Sequence, residues 1–343
     1  MTNIVKQTVG IDVAQNELVV SLGRMSHDTG TDIFAFKTFA NNTKGFNELV
    51  NWVNKLVLKE LQVRYVMEAT GVYHENLAYY LSDHGQRVSI VLPNKISNYF
   101  RTLDVKTITD KTASQAICRF GLERKLDEWQ KPKQIYRTLK QLTRERDQLI
   151  AERTVAKNQL HAEKAEAFPN EKSIARLNKR IELFKSQVKE IQADINEVLK
   201  KDNELTDKIA VVTTIPGVGK LTAVTVLAET NGFELIRSKK QLVSYSGLDV
   251  KEKTSGTSVK GKPRISKKGN RHLRKSMYFP ALTAIRHDEH FKAVFVRLVS
   301  KHGLKMKSAV AVQRKILELI YILWNTNTKY DKEYLERRNA KAA

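Results

Sequence analysis

From Lys133 to Lys208 the sequence holds no glycine and a single proline, Pro169. Stretches this long and free of breakers fold as helices, and this one limits what can surround it. In its second half apolar residues fall at Ile174, Leu177, Ile181, Phe184, Val188, Ile191, Ile195 and Val198. The steps alternate between three and four residues, the spacing of a seam that must face another helix. The first half carries Leu139, Leu142, Leu149, Ala156 and Leu160 on one face, interrupted by Arg146 and Arg153. Pro169 marks a reversal between the halves. An antiparallel coiled-coil arm is therefore expected, its seam covered by the first half folding back or by another chain. The basic outer face of the arm reads as solvation. The arm cuts the chain into expected segments 1–128, 129–207 and 208–325, with a polar tail over 326–343.

Ahead of the arm, VGIDV and ELVVSL flank a turn at Gln15-Asn16, which predicts a β-hairpin with Asp12 late in its first strand. A third strand is expected at Ile33–Phe36. A helix should follow over Gly45–Leu61, where Phe46, Leu49, Val50, Val53 and Leu56-Val57 fall at helical spacing. Val63–Met67 reads as a short buried strand ending at Glu68, His74–Ser82 as a helix, and Arg87–Leu92 as a strand closed by Pro93. Asp110–Gly121 reads as a further helix. A meander of strands, then strands alternating with helices, indicates an α/β domain with a mixed sheet. Acidic residues are depleted in strands and costly to bury alone. Taken singly, Asp12, Glu68 and Asp110 read equally well as strand-end or N-cap carboxylates. Together, in this strand order, they look like an RNase H-type or RuvC-like site able to hold Mg²⁺. A sugar-kinase or actin-like ATPase also begins with an Asp at a hairpin. Its turn needs Gly, Ser or Thr to hold phosphate, and Ala14-Gln15-Asn16 offers none.

Charge enters the argument at Lys251–Lys275, KEKTSGTSVKGKPRISKKGNRHLRK. Ten Lys or Arg stand there against one acid, Glu252, so nine of the net +23 charges lie in twenty-five residues. Clustered charge of this kind points to nucleic acid. The stretch also holds a small polar knot, Thr254-Ser255-Gly256-Thr257-Ser258. A compact hydroxyl in a cationic field suits a polyanion whose phosphate comes close to the backbone, and suggests that one of these serines attacks nucleic-acid phosphate. No run approaches the ~20 apolar residues that span a bilayer, so no membrane partner is expected. MTNIVKQTVGIDV lacks a signal-peptide core. One cysteine, Cys118, leaves no internal disulfide and no cysteine-based zinc site, and the eight His show no HExxH spacing. The expectation is a reducing, cytoplasmic setting with any metal held by oxygen ligands.

Beyond the arm, Gly217-Val218-Gly219-Lys220 fails the spacing of a P-loop. It resembles a helix-hairpin-helix turn, in which Gly217, Gly219 and Lys220 would meet a DNA phosphate at a helix start. A tight turn between packed helices is the plain alternative. A short helix at Lys239–Tyr245, a turn at Ser246-Gly247-Leu248, amphipathic helices at Met277–Arg286 and Phe291–Val299, and a strongly apolar core helix at Ser308–Trp324 make this domain mostly α-helical.

Three blocks carry a family resemblance: GIDVAQNELVVSL; VMEATGVYHENLAYYL with TDKTASQAICRFG; and IPGVGKLTA with LVSYSGLDVKEKTSGTSVKGKPRISKKGNRHLRK. With the arm between them, they resemble the transposases of the insertion sequence 110 (IS-110) family, the DEDD-type recombinases of bacterial mobile elements. The resemblance implies an N-terminal RuvC-like domain with Asp12, Glu68 and Asp110 as the acids of a Mg²⁺ (or Mn²⁺) site. It also implies a nucleophilic serine in an S-G motif, here Ser255, with Ser258 as the fallback. A structured guide RNA encoded by the element, pairing with donor and target DNA, is implied as well, in a bacterial, nucleoid-associated setting. The family's fourth Asp, three residues after the third, is Ala113 in this chain, and Asp104 is a nearby stand-in. Three carboxylates still suit an ion that keeps waters.

The expected mechanism joins the two domains in a composite site, contributed by different protomers of a dimer or dimer of dimers. Lys260, Lys262, Arg264, Lys267, Lys268, Arg271 and Arg274 are the expected phosphate contacts, each neutralised charge adding about 0.9 to the log–log salt slope. Two other readings stand beside DNA transposition: a RuvC-like nuclease or junction resolvase using metal-bound water, and a nucleic-acid-binding protein with a decayed acid site.

Overall fold

Alternation along the first strand, β1 (Ile4–Val13), sends Val9, Ile11 and Val13 to one face of a sheet and Thr8, Gly10 and Asp12 to the other. The computed structural model containing it describes residues 4–334 apart from 28–29, 70, 104, 235, 253, 256–258 and 262. The chain forms two compact units, residues 1–131 and 132–343.

In the first unit β2 (Glu17–Ser26) pairs antiparallel with β1, and β3 (Gly30–Ala40) antiparallel with β2. Parallel pairing adds β4 (Val63–Glu68) to β1 and β5 (Arg87–Val91) to β4. The order β3-β2-β1-β4-β5 is the mixed sheet that the sequence predicts. One face packs Val9, Ile11, Leu18, Leu22, Tyr65 and Met67 against Phe46, Leu49 and Val53 of α1 (Thr43–Leu56) and Leu77 and Leu81 of α2 (Glu75–Asp83). On the other face, Val66 and Val91 meet Ile96 and Tyr99 of α3 (Pro93–Phe100) and Ile117 and Phe120 of α4 (Asp110–Glu123).

Two local differences from expectation have physical causes. α1 stops at Leu56, short of Leu61, because buried Gln7 pins the chain beyond it in a turn. Gln7 Nε2 donates to the carbonyls of Leu58 (3.0 Å) and Leu61 (3.2 Å), and its Oε1 accepts from the Leu58 amide at 2.8 Å. The helix α3 was not anticipated. Pro93, read as the end of a strand, is instead at the start of that helix, where a missing N–H costs nothing.

The second unit opens with α5 (Gln134–Ala165) and α6 (Glu171–Lys200), which fold back on each other. Leu139 near the start of α5 shares a core with Ile191 and Ile195 near the end of α6. At the far end Glu163 Oε1 accepts from the Asn170 amide (3.1 Å) and its Oε2 from the Ser173 hydroxyl (3.2 Å). The seam is thus covered from within the chain. Arg146 interrupts it half-buried, its pKa lowered by that burial, and its Nε has no partner among the described residues. The remaining helices are α7 (Asn203–Val212), α8 (Lys220–Thr230), α9 (Lys239–Ser246), α10 (Arg271–Ser276), α11 (Tyr278–His287), α12 (Glu289–His302) and α13 (Lys305–Thr326). The apolar face of α13, Val312, Ile316, Leu317, Ile320 and Leu323, packs in one core with α8 and the root of the arm. No helix among the described residues is long and apolar enough to cross a membrane.

A buried charge, Glu229, stands inside that core. Glu229, on the last turn of α8, receives both arms of the Arg144 guanidinium fork, Nε at 2.7 Å and Nη2 at 2.9 Å. Asn270 Nδ2 donates to the same carboxylate at 2.7 Å, and the Tyr245 hydroxyl donates to the Glu229 carbonyl at 3.0 Å. Burial alone would raise the Glu229 pKa. The hydrogen bonds from Arg144 and Asn270 outweigh it and hold the carboxyl below its usual range. Because the Glu229 side chain is 0% exposed and that of Arg144 44%, the two partners are not equivalent. Arg144→Ala strands a buried charge and should cost about 3–5 kcal/mol. Glu229→Ala leaves a cation that water can reach and should cost less, an order that denaturant titration checks. With a depressed folded pKa, this stabilisation is present at neutral pH and fades as pH falls below the ordinary glutamate range.

Candidate functional site

Small residues set the distance between α4 and β1. A Cβ at Gly10 would collide with the Ser114 carbonyl and the Cys118 amide, and one at Gly121 would meet Thr8 Cγ2 at 2.5 Å and Val66 Cγ2 at 2.8 Å. The Cys118 thiol donates to the Thr8 carbonyl at 3.2 Å, the Ser21 and Ser114 hydroxyls lie 2.7 Å apart, and Lys6 Nζ donates to the Leu122 carbonyl at 2.8 Å. Lys6 with Leu122, Thr8 with Gly121 and Gly10 with Ser114 define a helix running antiparallel to the strand. Its first residue, Asp110, is thereby brought towards Asp12. Thr109 caps the helix, and Asp110 occupies the first turn, where a carboxylate complements the helix dipole. In the parallel register Ile11 lies opposite Met67, so Asp12 and Glu68 are neighbours on the same face, their Cα atoms about 5 Å apart. All three predicted acids are therefore gathered at one end of the α4 face. Cys118 has no part in this chemistry: burial pushes its thiol up to about 12.

The basic stretch folds as a β-hairpin, which its sequence does not announce. Of β6 (Val250–Lys251), β7 (Thr254–Ser255), β8 (Val259–Lys260) and β9 (Arg264–Ile265), the outer pair is β6 with β9 and the inner pair β7 with β8. Ser255 pairs with Val259 beside the hairpin tip, and Lys260 with Thr254. Ser258, Lys262 and Asp104 lie outside the described residues. At the hairpin root the Ser266 amide donates to the Asp249 carbonyl at 2.8 Å, the Lys267 amide to the Gly247 carbonyl at 3.1 Å and the Asn270 amide to the Tyr245 carbonyl at 2.7 Å. Asn270 Oδ1 also caps α10, accepting from the amides of His272 (2.9 Å) and Leu273 (3.2 Å). Its Nδ2 goes to Glu229, so one side chain ties the hairpin root to α8 and, through Glu229, to Arg144 of the arm.

Among the expected phosphate contacts, Arg264, Lys267, Lys268 and Arg271 are exposed. Arg274 is engaged elsewhere, donating from Nη1 to the carbonyls of Ser246 (2.7 Å) and Gly269 (3.1 Å), so it braces the hairpin root. Gly217 has φ +85°, and a Cβ there would collide with the Pro280 carbonyl on α11, which gives it a packing reason of its own. Gly219 and Lys220 are exposed at the start of α8, where Lys220 Nζ donates to Asn196 on α6 at 2.8 Å. Arg144, Glu229 and Asn270 were missed by sequence reasoning. The Glu229 position, an acid closing an otherwise apolar helix, was the available signal.

Comparison with known proteins places the chain in a family. A model of the DEDD transposases of IS110 matches residues 9–169, and one described as transposase of the IS116/IS110/IS902 family matches residues 209–295. The chain belongs to the IS110 family of transposases. Pilin gene-inverting proteins of Moraxella bovis and Moraxella lacunata are each 28% identical to it over 337 residues, 96% of this chain and 99% of theirs. An insertion element IS110 protein of 43.6 kDa from Streptomyces coelicolor is 26% identical over 145 residues, 42% of this chain and 35% of that one. Among solved structures, Thermus thermophilus RuvC with a Holliday junction substrate aligns over 36% of this chain and 99% of its own at 7% identity. The TM-score of 0.28 is too low to carry an inference. As an IS110-family member the chain is a DNA recombinase of the transposase type.

For such an enzyme, dependence on a divalent metal is the expectation that the acids must meet. Asp12 is raised to about 6, first by burial and then by the charges of Asp110 and Glu68. Yet among the described residues no three His, Cys, Asp or Glu side chains close on a single ligating point. The carboxylates are near enough to repel one another and too far apart to form a closed cage. That fits Mg²⁺, which keeps several waters and takes one or two protein carboxylates, better than an ion needing four protein ligands. Ala113, half-buried one turn into α4, adds no fourth donor.

The sign of the Asp12 shift yields a test. A raised folded pKa means that ionising Asp12 destabilises the metal-free fold, the loss growing as pH rises from about 4 to about 6. Asp12→Asn should therefore match the wild type near pH 4 and exceed its Tm by about 2–4 °C at pH 8 without metal. Added Mg²⁺ should raise the Tm of the wild type and leave the variant unmoved. Thermal scans at the two pH values, with and without Mg²⁺, check both expectations.

Proposed function

We propose that this transposase cuts and rejoins DNA through Ser255, assisted by a divalent ion, Mg²⁺ or Mn²⁺, held at Asp12, Glu68 and Asp110 of a RuvC-like domain. The observation that carries the reading is the gathering of three carboxylates, where burial first and then the charges of Asp110 and Glu68 raise the pKa of Asp12. Such crowding destabilises the fold unless a cation answers it. In the step itself Ser255 Oγ forms a bond to phosphorus while the bond from phosphorus to the departing deoxyribose oxygen breaks. The serine gives up its proton to solvent and the departing oxygen takes one up. One phosphodiester replaces another, so no water is consumed, and attack by a DNA hydroxyl on the phosphoserine linkage reverses the step. When bound, the ion would neutralise phosphate oxygens and stabilise the charge that develops on them. Exposed Arg264, Lys267, Lys268 and Arg271, with Lys260 and Lys262, would hold neighbouring phosphates, and the start of α8 at Gly219 would take another.

The acids and the serine belong to different units, and the site is read as composite, its halves supplied by different protomers of a dimer or dimer of dimers. The arm is read as an antiparallel coiled coil. An element-encoded structured RNA is the proposed guide to element-end and target DNA, in the bacterial cytoplasm. The name of the Moraxella relatives, gene-inverting, supports strand exchange over simple hydrolysis, since inversion requires every cut strand to be rejoined.

The test is a covalent adduct. Full-length protein incubated with element-end DNA, the element RNA and Mg²⁺ should give a denaturant-resistant protein–DNA species that Ser255→Ala abolishes. Asp12→Ala should slow its formation by about 10²–10³. Cleavage that survives Ser255→Ala but not Asp12→Ala would sink the serine mechanism in favour of a RuvC-like nuclease using water.

A further inference from the structure

β3 is an outer strand of the sheet, and Phe36 projects from it 41% exposed. Its face is fixed by the register. Gly10, Ser21 and Phe36 form one row across β1, β2 and β3, and Ser21 meets Ser114 of α4. Phe36 thus shares the face that carries the acids. Lys111 Nζ stands 5.1 Å from its ring centroid, and Lys111 follows Asp110 directly in the chain. The next row runs Asp12, Val19, Thr38. Two strand spacings across and two residues along put the Cα of Phe36 about 12 Å from that of Asp12.

Single exposed aromatics are ordinary on protein surfaces. This one combines an exposed ring, a lysine held over it and a position a short step from the acids proposed to act on DNA. An aromatic platform beside a cation is how proteins hold unpaired nucleic acid, the ring stacking a base and the cation meeting the backbone. A protein strand adding to the outer edge of β3 would want apolar neighbours, and Lys37 and Lys111 present charge there instead.

We propose that Phe36 stacks a base of the single-stranded DNA entering or leaving the acid site, with Lys111 meeting a phosphate between the two. The proposal rests on the reading that Asp12, Glu68 and Asp110 act on DNA, and it adds the path of the strand beside them. Phe36 is a substrate-positioning residue in this scheme.

The experiment uses the full chain and a fluorescent oligothymidine carrying one 5-iododeoxyuridine. Irradiation should crosslink it to the peptide containing Phe36, and Phe36→Leu should remove that crosslink while keeping apolar area and Tm. Phe36→Ala should weaken single-strand binding by about 5- to 100-fold with an unchanged log–log salt slope, since no charge is lost, and Phe36→Trp should restore it. Lys111→Gln should lower the slope by about 0.7. Duplex affinity should hold in every variant. Unchanged single-strand affinity in Phe36→Ala, or a larger loss with the matching oligoribonucleotide, overturns the proposal. So does a shift in oligomeric state with binding intact, which would make this face an interface between copies. An Asp12→Ala protein that forms the adduct at the wild-type rate defeats the reading of the acids instead, and leaves the crosslink result to stand by itself.

Discussion

The absence of a side chain at Gly10 governs the first unit. There a helix lies on a strand with nothing between them, and any Cβ would overlap the backbone of Ser114 and Cys118. Close packing of this kind has little slack, because interiors resist even small volume changes. The contact fixes how far α4 stands from the sheet, and the bonds from Lys6, Ser21 and Cys118 fix where along it α4 lies. Asp110 begins α4, while Asp12 and Glu68 lie level on adjacent parallel strands. The relation among the three acids therefore follows from a helix-on-sheet contact that contains no charge at all. Fold and chemistry share a constraint here, and a change at Gly10 would be felt in both.

The second unit positions its candidate nucleophile by another device. Where the sheet relies on close approach, the helical unit relies on a buried ion pair fully supplied with hydrogen bonds. Such pairs add little net stability, since desolvation consumes most of the attraction. What they supply is direction. The guanidinium fork of Arg144 meets Glu229 in one orientation, and Asn270 can reach the same carboxylate only with α10 begun where it is. Gly247 and Gly269 allow the strands of the hairpin root to cross α9 closely, with Arg274 bracing the carbonyls of Ser246 and Gly269. The hairpin bearing Ser255 is therefore anchored through polar contacts to the arm, and a displacement of α5 would be transmitted to its root.

What could be read in the sequence follows from how far each signal reaches along the chain. The seam from Ile174 to Val198 and the alternation in β1 repeat over many residues, so periodicity alone identifies them. Asp12, Glu68 and Asp110 stood out because acids in or beside apolar strands are unusual. The four strands of the basic hairpin are two residues each, too short to show a period, and their lysines carry no apolar alternation. The end of α1 depends on Gln7, which lies some fifty residues away in the chain and bonds the turn through its amide. Arg274 looked like its basic neighbours; its engagement with Ser246 and Gly269 exists only once the root has folded. Composition finds charge, but only packing decides which charges remain free for a ligand.

That distinction bears on Ala113. A fourth carboxylate at this half-buried place would lie about one helical turn beyond Asp110. It would strengthen the hold on a cation and, without one, add to the repulsion that, after burial, lifts Asp12 to about 6. Alanine there avoids the added repulsion and, were a cation bound, would leave water to complete its coordination. Functional sites commonly keep such unfavourable groupings because the surrounding structure over-determines them. In this chain the surroundings that do so are the glycine contact and the paired strands. On the proposed reading, a three-acid site is thus a balance between holding a metal and tolerating its departure.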